Sequence, residues 1–246
     1  MTEKNSKKPA VNIVQIILTI FLVGAAFAIG SMWTELKLLK SGKGTAVNQP
    51  TQEAASPQPE EGPLSDEQWQ EVLADPVYSE GDEKAQVTLV EFTDYQCPFC
   101  KRHFDQTEDQ LQSEYIKTGK VRWVIRDLPL SFHQNAHLAA EAARCAGDQN
   151  KYKAMHDQLF ETQTAWGESA TAKTVFSGYA KTLGLNGAAF DQCLTGGKYK
   201  DAVDVDLALA TKIGANGTPT FYVNGQPLVG AQPLAAFKAL IDAALQ

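Results

Sequence analysis

Residues 86–104 read QVTLVEFTDYQCPFCKRHF. The opening QVTLVEF is an apolar, β-branched run bounded by polar residues, which predicts a buried strand. Cys97-Pro98-Phe99-Cys100 follows Asp94-Tyr95-Gln96, and beyond it Phe104, Leu111 and Tyr115 fall on one helical stripe that Gly119 is placed to stop. The CxxC pair thus lies where a strand hands over to a helix. Free amide N–H groups at a helix start favour negative charge, so Cys97 is expected to be stabilised as thiolate, the reactive form of the side chain. Pro98 suits the first helical turn, where its missing N–H has no intrahelical duty. Two intervening residues let Cys100 close back onto Cys97 as a disulfide. Lys101, Arg102 and His103 could add positive potential but read more simply as solvated helix residues. A structural zinc site would need a second close pair of ligands. The remaining cysteines, Cys145 and Cys193, lie far apart, so redox chemistry is expected and a metal is not.

Working outward, 65–73 (SDEQWQEVL) reads as a short helix capped by Ser65, and 121–125 (VRWVI) as a second strand. The pattern over 133–214 is helical almost throughout, with apolar faces such as Leu138, Ala142 and Cys145, or Phe190, Cys193 and Leu194. Strands over 220–223 and 227–229 are joined by Asn224-Gly225, a strong hairpin signal, and a last helix covers about 234–244. The order is that of an α/β layer fold with a helical insertion at about 131–214. Gly217-Thr218-Pro219-Thr220 opens the third predicted strand, where proline is permitted and a cis X–Pro bond would be a specialised turn element.

The whole chain has 246 residues and a formal charge of −7, which argues against a nucleic-acid binder. The four cysteines permit two disulfides in an oxidising compartment. Residues 11–33 (VNIVQIILTIFLVGAAFAIGSMW) carry no charge and, as a helix, would extend roughly 34 Å, enough to cross a bilayer. The division expected is a cytoplasmic tail over 1–10, a transmembrane anchor over 11–33, a flexible linker over 34–64 and the folded domain over 65–246. A cleaved signal ending near Ala26-Phe27-Ala28 is the alternative to the anchor. The acidic excess lies beyond the span and disfavours adhesion to anionic lipid. Residues 41–63, rich in Gly, Pro, Gln, Ser and Glu, would tether the domain within roughly 26 Å of the membrane.

The segments LVEFTDYQCPFCKRHF, DLPLSFHQNAHLAAEAARCA and GANGTPTFYVNGQPLVGAQP resemble those of DsbA-like thiol:disulfide oxidoreductases of the thioredoxin fold, in particular membrane-anchored or secreted bacterial members. The resemblance covers about 76–246 and implies a thioredoxin fold with a helical insertion. It implies that Cys97 is the exposed nucleophile and Cys100 the buried resolving thiol. Pro219 would be the cis-proline packed against the pair, with Thr218 offering backbone groups to a bound partner segment. Glu91 falls where the family often carries a buried acid that exchanges protons with the resolving cysteine; an ordinary strand-end carboxylate is the alternative. Some relatives carry a second cysteine pair, which favours a structural Cys145–Cys193 bridge over two separate buried thiols. His133 and His137 read as capping or surface residues, with an acid–base or metal role the alternative. The Pro-Phe dipeptide departs from the family's best-known oxidase pattern, since it has no histidine to help hold the thiolate.

The function expected is dithiol oxidation without a cofactor: a domain on the periplasmic or extracellular side of the cytoplasmic membrane, monomeric, introducing disulfides into reduced exported proteins. Reoxidation by a quinone-linked membrane thiol oxidase is implied by the resemblance. A reductase or isomerase on the same fold, and a non-catalytic tethered peptide-binding domain, are the competing readings.

Overall fold

The computed structural model describes residues 62–246. The expected tail, anchor and nearly all of the linker fall outside the described residues. Among the described residues no helix is long and apolar enough to cross a membrane.

Helix α1 (Asp66–Leu73) starts from a capping box in which Ser65 and Gln68 satisfy each other's backbone N–H groups. Five strands follow through the chain: β1 (Tyr78–Glu80), β2 (Val87–Thr93), β3 (Val121–Asp127), β4 (Thr220–Val223) and β5 (Gln226–Val229), in the sheet order β1-β3-β2-β4-β5. Strands β2 and β3 run parallel, with Glu91 opposite Ile125, and every other pairing is antiparallel. A parallel pair needs a crossover, and α2 supplies it over 98–116. This helix is α-helical at Pro98–His103 and Asp109–Leu111, and π-helical at Phe104–Glu108 and Gln112–Ile116. The hairpin turn needs positive φ at both central residues, and Asn224 (+47°) and Gly225 (+83°) supply it. Pro227 sits on edge strand β5, where a missing N–H leaves no broken ladder.

The insertion consists of α3 (Ala136–Gly147), α4 (Tyr152–Glu161), α5 (Gln163–Trp166), α6 (Ala172–Thr182), α7 (Gly187–Thr195) and α8 (Lys200–Lys212); α9 (Leu234–Ala244) ends the fold. Side chains alternate across the central strands, so two apolar cores form, one on each sheet face. Val87, Leu89, Trp123, Ile125 and Phe221 pack with residues of α2, the insertion and α9. Val90, Phe92, Val124 and Tyr222 pack with Val72 of α1 and Ala210 of α8. Burial on both faces explains why β2 reads as a continuous apolar run. Its one acid, Glu91, falls in alternation with Leu89 on the face shared with α2. The strand β1 was not expected: three residues are too few to show a period. A cluster of buried charges ties β3 to the insertion, with Arg126 on Asp206 and Arg144 on both Asp127 and Asp206.

Candidate active site

The end of β2 delivers the chain into a tight turn organised by Asp94. Its carboxylate accepts the backbone N–H of Gln96 (2.7 Å), Cys97 (3.2 Å) and Leu130 (2.8 Å), and pairs with His133 Nδ1 at 2.7 Å. Gln163 from α5 donates to the carbonyls of Tyr95 (2.8 Å) and Cys97 (3.0 Å), so the insertion clamps the same turn. Cys97 is the residue immediately before α2, and Pro98 occupies the first helical turn.

Both cysteines are thiols in this structure. The Cys97 sulfur lies 3.4 Å from the carbonyl oxygen of Thr218, across the cis peptide bond between Thr218 and Pro219. Cys100 accepts the backbone N–H of Asp94 at 3.4 Å. The Cys97 thiol is lowered to about 6: the hydrogen bond from Cys100 is the leading cause, opposed by burial and helped by Thr218 and the N–H groups of Cys100 and Phe99. The Thr218 hydroxyl is buried and makes no hydrogen bond in this structure. Cys100 moves the opposite way, pushed well up by burial, then by the hydrogen bond and negative charge of Cys97, with the Glu91 carboxylate adding to it. The two sulfurs are therefore unequal, one easily ionised and the other a reluctant acid.

Glu91 is 1% exposed and accepts the indole N–H of Trp123 at 3.2 Å. Burial raises its carboxyl to about 7 against the hydrogen bonds that favour ionisation. A buried carboxylate with a raised value contributes to stability while protonated. That contribution is complete below about 4.5, declines as pH rises and is lost above about 7. Replacing Glu91→Gln keeps a neutral acceptor for Trp123 and is expected to stabilise the protein by about 3 kcal/mol at pH 8, with little effect at pH 4. Urea midpoints at the two pH values measure it.

Three features depart from the reading of the sequence. Cys97, expected to be exposed, is only 3% exposed, because the Thr218-Pro219 segment and Cys100 cover it; Phe99, at 52%, forms the exposed rim instead. His103, expected on a solvated face, is 2% exposed and packs between Phe221 and Phe237, with ring centroids at 4.5 and 5.3 Å. Burial lowers it to about 3, so it is neutral and adds no positive potential to the thiolate. His133 is a partner of the Asp94 turn, neither a cap nor a free surface residue, whereas His137 bridges Glu141 and Asp204 away from the cysteines. Arg102 is exposed and lies over the Phe99 ring. Cys145 and Cys193 are joined in a disulfide between α3 and α7, with Cα atoms 5.9 Å apart. The sequence reading missed Asp94 and Gln163. Asp94 had a legible signal, an Asp two residues before a turn N–H; Gln163 had none.

Residues 74–243 match the family model described as Thioredoxin. Among solved structures, BdbD of Bacillus subtilis superposes with a TM-score of 0.64 at 24% identity, covering 75% of this chain and 97% of that one. A thioredoxin-like oxidoreductase from Silicibacter pomeroyi is 28% identical with a TM-score of 0.59, covering 74% of this chain and 98% of that one. Curated relatives include the Na(+)/H(+) antiporter NhaA 1 of Salinispora arenicola, 37% identical over 167 residues, which are 67% of this chain but 24% of the antiporter. A Rickettsia typhi protein named provisionally as a protein-disulfide oxidoreductase is 29% identical over 146 residues, 59% of this chain and 53% of that protein. The chain thus spans about a quarter of the antiporter's length and about half of the Rickettsia protein's.

Proposed function

We propose, from the premise that this chain belongs to the thioredoxin family as a DsbA-like thiol:disulfide oxidoreductase, that it runs in the oxidising direction on reduced exported proteins. A client thiolate attacks Cys97 of the Cys97–Cys100 disulfide; that S–S bond breaks, and Cys100 leaves as a thiolate and takes a proton. A second client thiolate then attacks the client sulfur of the mixed disulfide and releases Cys97 as a thiolate. The client loses two electrons and gains a disulfide, and the enzyme is left as dithiol.

The observation that carries this reading is the stabilised Cys97 thiolate. Stabilising the reduced form makes a disulfide a better oxidant. A thiol lowered to about 6 favours the reduced pair at pH 7 by about 1.4 kcal/mol over an ordinary cysteine, or about 30 mV. The buried Cys145–Cys193 bridge supports a compartment outside the cytoplasmic membrane, where disulfides persist. There the span over 11–33 would hold the domain near a quinone-linked membrane thiol oxidase able to reoxidise it. We take the catalytic unit as a monomer needing no cofactor. Cys97 and Cys100 carry the electrons, Glu91 exchanges the proton of Cys100, and the Thr218-Pro219 segment receives the client backbone.

One observation favours the reductive direction instead. Phe99 presents an apolar ring where a hydrogen-bonding side chain would strengthen the oxidant. Equilibrating the protein against glutathione buffers decides between them. A potential near about −120 mV supports oxidation, and one near about −270 mV assigns the protein to reduction.

A further inference from the structure

Cys100 and Glu91 are both shut away from solvent, at 1% exposure each, yet thiol–disulfide exchange moves a proton on and off Cys100 in every cycle. Behind them lies a second set of buried charges that the mechanism above does not use. Glu108, on the π-helical turn of α2, is 4% exposed and pairs with Lys153 Nζ of α4 at 3.0 Å. His156 of α4 is fully buried within the rings of Tyr95, Phe104, Trp123, Tyr152 and Phe160. Its Nδ1 lies 3.0 Å from Asp157 Oδ1. Its Nε2 has no hydrogen bond and stands 4.0 Å from Glu108 Oε2. Asp157 and Lys153, which also pair with each other, are the members that reach solvent, with side chains 35% and 27% exposed.

An orphaned buried nitrogen costs free energy unless something is gained by it. A hydrogen-bonding imidazole set between a buried and a partly exposed carboxylate is the arrangement that passes protons from one to the other. Glu91 and Glu108 feel each other's charge, as do Glu91 and Lys153, so the two sets form one electrostatic unit around Trp123. The groups facing it are Glu91 on β2, Trp123 on β3, Glu108 on α2, Tyr95 in the active-site turn, and Tyr152, Lys153, His156 and Asp157 on α4. The three ligand-type side chains Glu108, His156 and Asp157 would also suit a cation, but the Lys153 ammonium already pairs with both carboxylates.

We propose that Glu108, His156 and Asp157, with Lys153 balancing their charge, are positioning residues that exchange protons between the buried Cys100–Glu91 pair and solvent at α4. This rests on the thiol–disulfide exchange assigned above and is independent of its direction. When Cys100 attacks a mixed disulfide at Cys97, its S–H proton passes to the Glu91 carboxylate. The new Cys97–Cys100 bond forms as the bond to the departing thiolate breaks. Glu91 then releases its proton through Glu108 and His156 to Asp157.

The test uses the reduced full chain and oxidised glutathione. Cys97 first displaces one glutathione, and Cys100 then displaces the second; acid quenching with mass spectrometry times both steps. His156→Gln and Asp157→Asn are each expected to slow the second step by about 10-fold or more and to let the Cys97–glutathione adduct accumulate. The first step and the reduction potential should stay unchanged, and Asp157→Glu should restore the rate. Asp157 is partly exposed, so its variants keep the test decisive if His156→Gln does not fold. Second-step rates within about twofold of the parent from pH 5 to 9 would overturn the relay. Failure of the reduced parent chain to form the Cys97–Cys100 disulfide and release glutathione would overturn the exchange reading itself, a distinguishable failure.

Discussion

Replacing Cys97→Ser reduces oxidation of a reduced client protein to the rate without enzyme. The reason is chemical: at pH 7 a thiol lowered to about 6 is about nine-tenths thiolate, whereas a serine hydroxyl at the same place stays protonated and forms no bond to sulfur that a second thiol could resolve. The substitution is nearly isosteric in a buried position, so circular dichroism should change little, while the urea midpoint should fall against the reduced parent, which alone holds the stabilised thiolate. Cys100→Ala separates the two half-reactions. Its Cys97 thiolate still attacks an oxidised client, and without a resolving thiol the two chains stay joined. Non-reducing gels should show that adduct for Cys100→Ala and none for Cys97→Ser. Client oxidation that survives in Cys97→Ser would remove the enzyme assignment.

The largest stability effect is expected from the other pair. Replacing both Cys145 and Cys193 by Ala opens a loop spanning 48 positions, and chain entropy alone assigns that closure about 4 kcal/mol. A domain of this size has roughly 5–15 kcal/mol in total, so the variant should lose a large share of it. Each cysteine packs in the core of the insertion, which adds a small cavity cost to the entropic one. Denaturant titration should show a lower midpoint and a steeper slope, since the unfolded chain expands without the crosslink. A loss under about 1 kcal/mol would mean that native strain cancels the constraint. The initial reaction of Cys97 with oxidised glutathione should survive, because the turn that presents it is held by Asp94, His133 and Gln163.

How far these features were legible depends on whether they are local. The strand at QVTLVEF, the handover at Cys97-Pro98, the Asn224-Gly225 hairpin and α9 each follow from a few consecutive residues. The helical insertion follows from period alone. What failed were the exposures expected of Cys97 and His103, whereas Cys100 and Glu91 are buried as expected. Cys97 is covered by Thr218, a hydrogen-bond partner 121 positions away, and nothing near residue 97 announces it. His103 is polar by type but faces Phe221 and Phe237 once the sheet and α9 are in place. Glu108 did leave a trace, for it falls between Phe104 and Leu111 on the same apolar stripe, where an acid is out of keeping. His156 likewise follows Met155 into a buried face of α4. Both were passed over because a polar residue on a helix reads as surface until its neighbours are known.

The central claim is that Cys97 ionises far more readily than an ordinary cysteine. The most direct measurement is the pH dependence of ultraviolet thiolate absorbance in the reduced protein, with the oxidised protein as blank. A single thiolate appearing with a midpoint near 6, and no second one through the neutral range, is the result predicted. A first midpoint at about 8.5 or above, the range of an unperturbed cysteine, would contradict it.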